Sequence, residues 1–217
     1  VQNWSGIDEV SLSLPNAALK TNYLVLAGNA YLGSLGKKLS QRLMPVGTYM
    51  IATEPLGSNR VGQLLPENSA VADINFVLDY FRLSADQRLL FGGGVSYSTI
   101  PPVNVRSYLK KRMLKVFPSL DDVELEYGWG GLVGITMNRM PNFGRLAPNV
   151  FLAQGFSGHG VALTGLAGKL MAEVISGTAE RFDVMSRVPH LPFPGGPLFR
   201  MPALILGTTW YRLRDLL

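Results

Sequence analysis

The organisation of this 217-residue chain follows from Val150-Phe151-Leu152-Ala153-Gln154-Gly155-Phe156-Ser157-Gly158-His159-Gly160. Residues 150–153 form a continuous apolar run, which predicts a buried strand. Beyond Gly160, apolar residues recur at steps of three and four, which predicts a helix: Leu163, Leu166, Ala167, Leu170, Val174 and Ile175. The glycine-rich turn leaves N–H groups free at the positive end of a helix dipole. On spacing alone, an anion site and an ordinary strand-to-helix turn are equally open interpretations.

Small residues form a second stripe on the same helix, at Gly165, Gly168 and Ala172. Because these positions have almost no side chain, we expect the helix to pack very close to a sheet or to a flat ligand.

The composition indicates a globular chain and excludes several kinds of site. With 47% hydrophobic and 16% charged residues, the chain can form one large domain or two small ones. It has no cysteine, which excludes disulfides, thiolate metal sites and a cysteinyl-linked flavin. His159 and His190 are its only histidines, so we expect no metal centre.

The net charge of +5 does not indicate a nucleic-acid partner. Five basic and no acidic residues lie within residues 104–117, but no nucleic-acid motif accompanies them, so a solvated helix face is expected. The sequence shows no signal peptide and no apolar run of membrane-spanning length. We therefore expect a cytoplasmic protein with no membrane partner.

Further elements follow from alternation and from turn residues. Strands are expected at 7–14, 23–27, 46–53 and 123–135, and short helices at 34–42 and within 104–117. A hairpin with strands in 75–83 and 88–91 is expected to turn at 84–87, and residues 136–144 read as a loop. Glycines around Trp129 predict a bulge or a close backbone approach within a strand.

No Gly-x-Gly-x-x-Gly follows a strand, although a dinucleotide-binding βαβ unit needs that pattern for the pyrophosphate. The glycine runs at 92–94 and 128–131 do not match it.

The turn at 155–160 resembles the flavin-contacting segment of the D-amino-acid-oxidase-like FAD oxidoreductases. Other stretches resemble the gamma-glutamylputrescine oxidases of that superfamily. They are Gly28-Asn29-Ala30-Tyr31-Leu32-Gly33, Met44-Pro45-x-Gly47-Thr48, Leu78-Asp79-Tyr80-Phe81-Arg82, Gly92-Gly93-Gly94-Val95, Arg139-Met140-Pro141-x-Phe143-Gly144-Arg145-Leu146, Ala179-Glu180-Arg181-Phe182-Asp183, Pro189-His190-x-Pro192-Phe193-Pro194-Gly195-Gly196 and Leu213-Arg214-Asp215.

The resemblance implies a mixed α+β or α/β fold, truncated to the C-terminal half of a longer enzyme. A largely antiparallel substrate-domain sheet with flanking helices is expected at 45–135. The end of an FAD-binding domain is expected at 1–44, its C-terminal strand-turn-helix at 136–180, and a tail at 181–217.

The same resemblance implies FAD-dependent oxidation of an amine, gamma-glutamylputrescine or a related compound, in putrescine catabolism. Hydride would pass from the amine carbon to the flavin, the imine would hydrolyse to an aldehyde, and oxygen would be reduced to hydrogen peroxide. The resemblance identifies no catalytic residue.

The resemblance assigns the pyrimidine edge of the flavin to the turn and to the start of the helix. The expected cofactor contacts are Gly130, Ser157, Gly158, His159, Gly160, Val161, Ala162 and Leu163. The backbone N–H groups of residues 160–163 are expected to stabilise the negative charge of the reduced ring. His159 either faces the cofactor or donates to a carbonyl of its own turn.

Two positions depart from relatives within the superfamily. Ala162 stands where sarcosine oxidases carry a lysine, so the positive charge there must come from backbone dipoles. Val133 stands where oxidases of amino acids carry an arginine for the carboxylate. That difference favours an amine substrate without an α-carboxylate at its reacting end.

Four residues are expected to line the amine pocket: Tyr80, Arg82, Trp129 and Asn138. In the alternative, the two aromatic residues belong to the core, Arg82 pairs with a carboxylate, and Asn138 caps a turn.

Two hypotheses therefore remain. The chain is part of an FAD-dependent amine oxidase, or as it stands it is a cofactor-free, non-catalytic module without a pyrophosphate cradle. On either hypothesis, surface exposed by truncation is expected to cause homo-oligomerisation or poor solubility.

Overall fold

The computed structural model describes residues 1–75, 77–94, 101–196, 199, 202, 205–207 and 209–210. Two compact units are present: unit 1 is Val1–Pro45 with Val133–Arg200, and unit 2 is Val46–Leu132 with Met201–Leu217. That these units serve as FAD-binding and substrate domains stays a prediction. The motif 213–215, Val95 of the motif 92–95, and much of the expected tail lie outside the described residues.

Eleven strands and five α-helices are present in the described parts of the chain. The strands are β1 (Asn3–Ser5), β2 (Val10–Ser13), β3 (Ala18–Thr21), β4 (Leu24–Leu26), β5 (Met44–Thr53), β6 (Val71–Ala72), β7 (Asp79–Leu83), β8 (Leu89–Gly93), β9 (Leu125–Ile135), β10 (Asn142–Ala147) and β11 (Val150–Gln154). The helices are α1 (Lys37–Ser40), α2 (Ser58–Leu64), α3 (Val105–Val116), α4 (Gly160–Ile175) and α5 (Glu180–Ser186). None of the helices in these ranges is long and apolar enough to cross a membrane.

Unit 1 contains two three-stranded sheets, ordered β1-β2-β3 and β10-β11-β4. In the second sheet, β10 runs antiparallel to β11, and β11 runs parallel to β4. Helices α4 and α5 bury their apolar sides against β10 and β11 in one core. That core comprises Phe143, Phe151, Ala153, Phe156, Ala167, Leu170, Met171, Val174 and Phe182.

Unit 2 is built on a five-stranded sheet in the order β6-β7-β8-β5-β9. The expected hairpin is confirmed: β7 and β8 pair antiparallel, and Tyr80 lies opposite Gly92. Helix α3 buries Leu109 and Met113 in the core of this unit. Its Arg112 Nε donates to Asp79 Oδ1 at 2.7 Å, which ties the helix to β7.

The expected fold class, a mixed fold with antiparallel sheets and flanking helices, is confirmed. The expected loop at 136–144 is wrong at its end, because β10 begins at Asn142 and pairs with β11. Helices α2 and α5, seven residues each, were not expected. Such short helices carry too little periodicity to be recognised without their packing partners.

Candidate functional site

The turn from β11 into α4 reverses the chain through three residues with positive φ. These are Gly155 (φ 73°), Ser157 (φ 52°) and Gly158 (φ 94°). A Cβ atom on Gly155 would collide with the Thr136 methyl group and lie 2.9 Å from Leu43 Cδ2. Gly155 is therefore required both for its backbone conformation and for space.

Neighbouring segments of unit 1 hold the turn in place through hydrogen bonds. Gly155 N–H donates to Asn29 Oδ1 at 2.9 Å, and Ser157 N–H donates to the Gly134 carbonyl at 3.0 Å. Thr136 N–H donates to Ser157 Oγ at 3.4 Å, and that hydroxyl donates to the Gly155 carbonyl at 3.2 Å. Ser157 is buried, so its polar groups serve the turn itself.

The first turn of α4 leaves three backbone N–H groups outside the helical hydrogen-bond ladder. His159 is the N-cap and its side chain makes no capping bond. Leu163 N–H already donates to the His159 carbonyl at 3.1 Å. This corrects the expectation for Leu163 as an N–H donor. Among the described residues, the N–H groups of Gly160, Val161 and Ala162 find no backbone acceptor.

The outer surface of this turn is open. A Cβ atom at Gly158, Gly165 or Gly168 would meet no atom within 4 Å, and Val161 is fully exposed. The expected close packing against the small-residue stripe is thus not made by the described residues. Three free N–H groups beside a smooth surface fit the anionic edge of a flat cofactor such as FAD.

A small cavity adjoins the inner side of the turn, lined in part by Asn29, Leu43 and Gln154. Its volume is about 40 Å³, whereas pockets for cofactor-sized ligands start at about 300 Å³. This cavity is therefore too small for a flavin ring.

Gly130 on β9 of unit 2 is exposed, but the side on which a Cβ atom would lie is covered by β5. A Cβ atom there would lie 2.7 Å from Tyr49 Cε1 and 3.0 Å from the Thr48 carbonyl oxygen. The close approach expected at this strand glycine is therefore made by the Tyr49 ring. A contact between Gly130 and a cofactor stays a prediction.

Tyr80 and Arg82 lie on the same face of β7, as their spacing predicted. The Tyr80 ring packs over Gly92, where no side chain interferes. Burial raises the pKa of the Tyr80 phenol above its ordinary value, and the Asp79 carboxylate adds to the shift. Arg82 is exposed, and its Nε donates to the Leu83 carbonyl at 3.2 Å.

Trp129 lies on β9, and its side chain is 46% exposed. Strands β8 and β5 separate β9 from β7, so about 14 Å lies between Trp129 and Tyr80 at the usual strand spacing. The sheet therefore does not bring these two aromatic side chains together in one narrow slot.

Asn138 belongs to unit 1, and both ends of its amide have partners. Its Nδ2 donates to the Pro189 carbonyl at 2.9 Å, and its Oδ1 accepts from Met140 N–H at 3.1 Å. These bonds match the turn-capping alternative, and a contact with substrate stays a prediction.

The sequence pattern does not identify Asn29 and Gly134 as residues of this site. Asn29 adopts φ 46°, and its Oδ1 occupies the space that a side chain at position 134 would fill. The glycine-asparagine pair at 28–29 predicts an unusual backbone conformation. It does not indicate that Asn29 holds a turn far away in the sequence.

The chain is similar to known proteins at the level of family and of sequence. The profile of the family described as FAD dependent oxidoreductase matches residues 5–174. A relative from Escherichia coli (strain K12), gamma-glutamylputrescine oxidoreductase, is 48% identical over 194 residues, covering 89% of this chain and 46% of the relative. Probable oxidoreductase OrdL from Haemophilus influenzae is 38% identical, with coverage of 95% and 48%. The chain thus spans about half the length of these curated relatives.

Among solved structures, glycine oxidase from Geobacillus kaustophilus superimposes with a TM-score of 0.66 at 19% identity. The match covers 81% of this chain and 47% of that one. At this identity the likeness concerns the fold alone.

Proposed function

The chain belongs to the family of FAD dependent oxidoreductases, and from that premise we propose that it forms part of an amine oxidase. Its substrate is gamma-glutamylputrescine or a closely related amine, and oxygen is the electron acceptor. The observation that carries the proposal is the open turn 155–160, with three free N–H groups where the resemblance puts the flavin. The 48% identity to the gamma-glutamylputrescine oxidoreductase supports the choice of substrate.

A bound FAD would supply the acceptor for the hydride of the amine carbon. The part played by α4 is electrostatic, because Gly160, Val161 and Ala162 direct N–H dipoles at the edge that becomes negative. Ala162 brings no charge of its own. These dipoles are held in a fixed orientation because Asn29 and Gly134 anchor the turn, so little reorganisation is needed as charge develops.

On the substrate side, Tyr80 supplies a phenol that stays protonated, since its pKa is raised. Such a group donates one hydrogen bond and offers an aromatic face to an alkylamine. Val133 has no charge to bind an α-carboxylate, which supports an amine whose reacting end lacks that group.

A reconstitution experiment tests the proposal. The chain is prepared alone and together with a second polypeptide, which corresponds to the part of the relatives that this chain does not cover. Each sample is incubated with FAD and then gel-filtered. We expect flavin absorption to co-elute with the combined sample, and gamma-glutamylputrescine to release hydrogen peroxide. Combined halves that retain no flavin would refute the proposal. Flavin retained without oxidation of any amine would refute the reaction, and a chain alone that retains flavin would refute the cofactor-free alternative.

Val161→Glu tests the role of the turn in the reconstituted protein. Val161 is fully exposed in this chain, so folding should be unaffected, and a carboxylate in the first turn favours a helix. Beside an anionic flavin edge the same carboxylate should weaken FAD retention at least tenfold, which is about 1.4 kcal/mol. FAD titration measures this effect.

Val184→Glu is the matched control, because Val184 is 61% exposed on α5. We expect it to bind FAD as the unaltered protein does. Equal retention of FAD by both variants would show that the turn is not part of the cofactor site.

A further inference from the structure

The segment that follows α5, residues 187–193, forms a strap over unit 1. Asn138 Nδ2 donates to its Pro189 carbonyl at 2.9 Å, and Phe193 N–H donates to the Gln41 carbonyl at 2.9 Å. Two prolines, Pro189 and Pro192, keep the strap extended. The strap is therefore held to two different parts of the unit, the loop before β10 and the turn after α1.

A solvent-open cavity of about 460 Å³ lies where the strap, α5, the first residues of β10 and the turn after α1 meet. None of the residues expected to contact flavin or amine lines it. Its charged and polar lining includes Arg42, Asn142, Arg145, Asp183, Arg187 and His190. The cavity is thus a separate feature of unit 1, built largely by the tail segment that the proposed function leaves unused.

The charge in this cavity is unbalanced. Asp183 is its one carboxylate among the described lining residues, and Arg145 Nη2 already pairs with it at 2.8 Å. Within the described part of the chain, Arg42 and Arg187 have no carboxylate partner. Two exposed arginines therefore line the cavity without a carboxylate partner among the described residues.

Two polar side chains in the lining, Asn142 and His190, have buried nitrogen atoms that lack hydrogen-bond partners among the described groups. Asn142 is only 2% exposed, and its Nδ2 has no acceptor. Neither ring nitrogen of His190 makes a hydrogen bond of good geometry with a described group, although the Pro141 carbonyl lies near the imidazole. Buried donors in native proteins are almost always paired, so this lining is suited to a group that brings acceptor oxygens.

We propose that this cavity binds a small oxyanion with two negative charges, a phosphate group or a dicarboxylate. Arg42 and Arg187 supply the two positive charges, and guanidinium groups bind the oxygens of both kinds of anion in pairs. Water could satisfy Asn142 and His190, but it could not neutralise the two arginines.

The charges around His190 make its pKa a reporter of anion binding in the cavity. Burial lowers the pKa of the imidazole, and the nearby Arg42 charge lowers it further, whereas the Pro141 carbonyl acts in the opposite direction. The other charged groups of the lining are Arg187, which is a cation, and Asp183, which is paired with Arg145. A bound dianion would stabilise the imidazolium, so the pKa of His190 should rise when the cavity is occupied.

The test is an NMR titration of the 217-residue chain with inorganic phosphate, succinate or acetate at constant ionic strength. The chain has only two histidines, so His190 and His159 can be followed separately. We expect a saturable shift of the His190 resonances and a rise in the pKa of His190, whereas a shift of His159 would report separate anion binding at the first turn of α4. Saturation by phosphate alone would identify a phosphate site, and saturation by succinate alone a dicarboxylate site. Absence of saturation with both dianions, or an equal effect of acetate, would overturn the proposal.

Arginine variants add a test that does not depend on the imidazole. Arg42→Gln and Arg187→Gln change exposed residues, and each should weaken binding of the dianion about tenfold by removing a charge-assisted hydrogen bond. Arg181→Gln is the control, because Arg181 pairs with Glu173 outside the cavity and should bind as the unaltered chain does. Unchanged affinity in both cavity variants, measured by calorimetry, would refute the assignment.

Discussion

Replacing Phe182 with alanine is expected to lower the free energy of unfolding of unit 1 by about 3–5 kcal/mol. Phe182 is completely buried at the junction of α5 with the sheet. Its ring meets Phe151 and Phe143 edge to face, with centroid distances of 5.6 and 6.1 Å. The Arg145 guanidinium lies over the same ring at 5.5 Å. Removing the ring leaves a cavity that a seven-residue helix cannot close by itself.

Urea unfolding followed by circular dichroism measures this loss. Val184→Ala, two residues further along α5, is the matched control because Val184 is 61% exposed; its effect should stay below about 0.5 kcal/mol. A loss at Phe182 below about 1 kcal/mol would show that α5 is not part of the cooperative core.

The second large effect is expected from Gly155→Ala, at about 3 kcal/mol. A residue with a Cβ atom pays about 1–2 kcal/mol for a left-handed conformation, and φ at Gly155 is 73°. The new methyl group would also collide with Thr136 and approach Leu43 Cδ2 to 2.9 Å. Overpacking of that kind costs a further 1–3 kcal/mol.

Gly158→Ala separates the two contributions within the same turn. Gly158 also has a positive φ, 94°, but nothing lies within 4 Å of its missing Cβ atom. Only the backbone cost, about 1 kcal/mol, is expected there. Equal losses from the two variants in the same urea experiment would show that space around Gly155 is not limiting.

Much of the fold could be predicted because its signals are local. The apolar run at 150–153 and the helical spacing beyond Gly160 depend only on neighbouring residues, and both elements form where expected. Helix α5 has a single fully buried residue, Phe182. The contacts of Phe182 with Phe143 and Phe151 form only when β10 and β11 are adjacent, which the local pattern does not contain.

The candidate site was predictable to a similar extent. The free N–H groups of the turn follow from a glycine-rich strand-to-helix junction, and only Leu163 was assigned a free N–H that the helix uses. The partner that approaches Gly130 could not be predicted in the same way, because it is the ring of Tyr49 on another strand. Asn138 presents the same difficulty, since its partner Pro189 lies 51 positions away in the chain.

Short-range order in the chain thus accounts for the strand-turn-helix, for the hairpin and for family membership, since each rests on neighbouring residues or on contiguous motifs. The anchoring of the turn by Asn29 and the cavity under the strap have a different origin. Arg42, Asn142 and Arg187 are far apart in sequence, and no periodicity relates them. They share a cavity only because α1, β10 and the end of α5 pack around the same sheet edge. There, the charge of an arginine on one element can act on a side chain of another element.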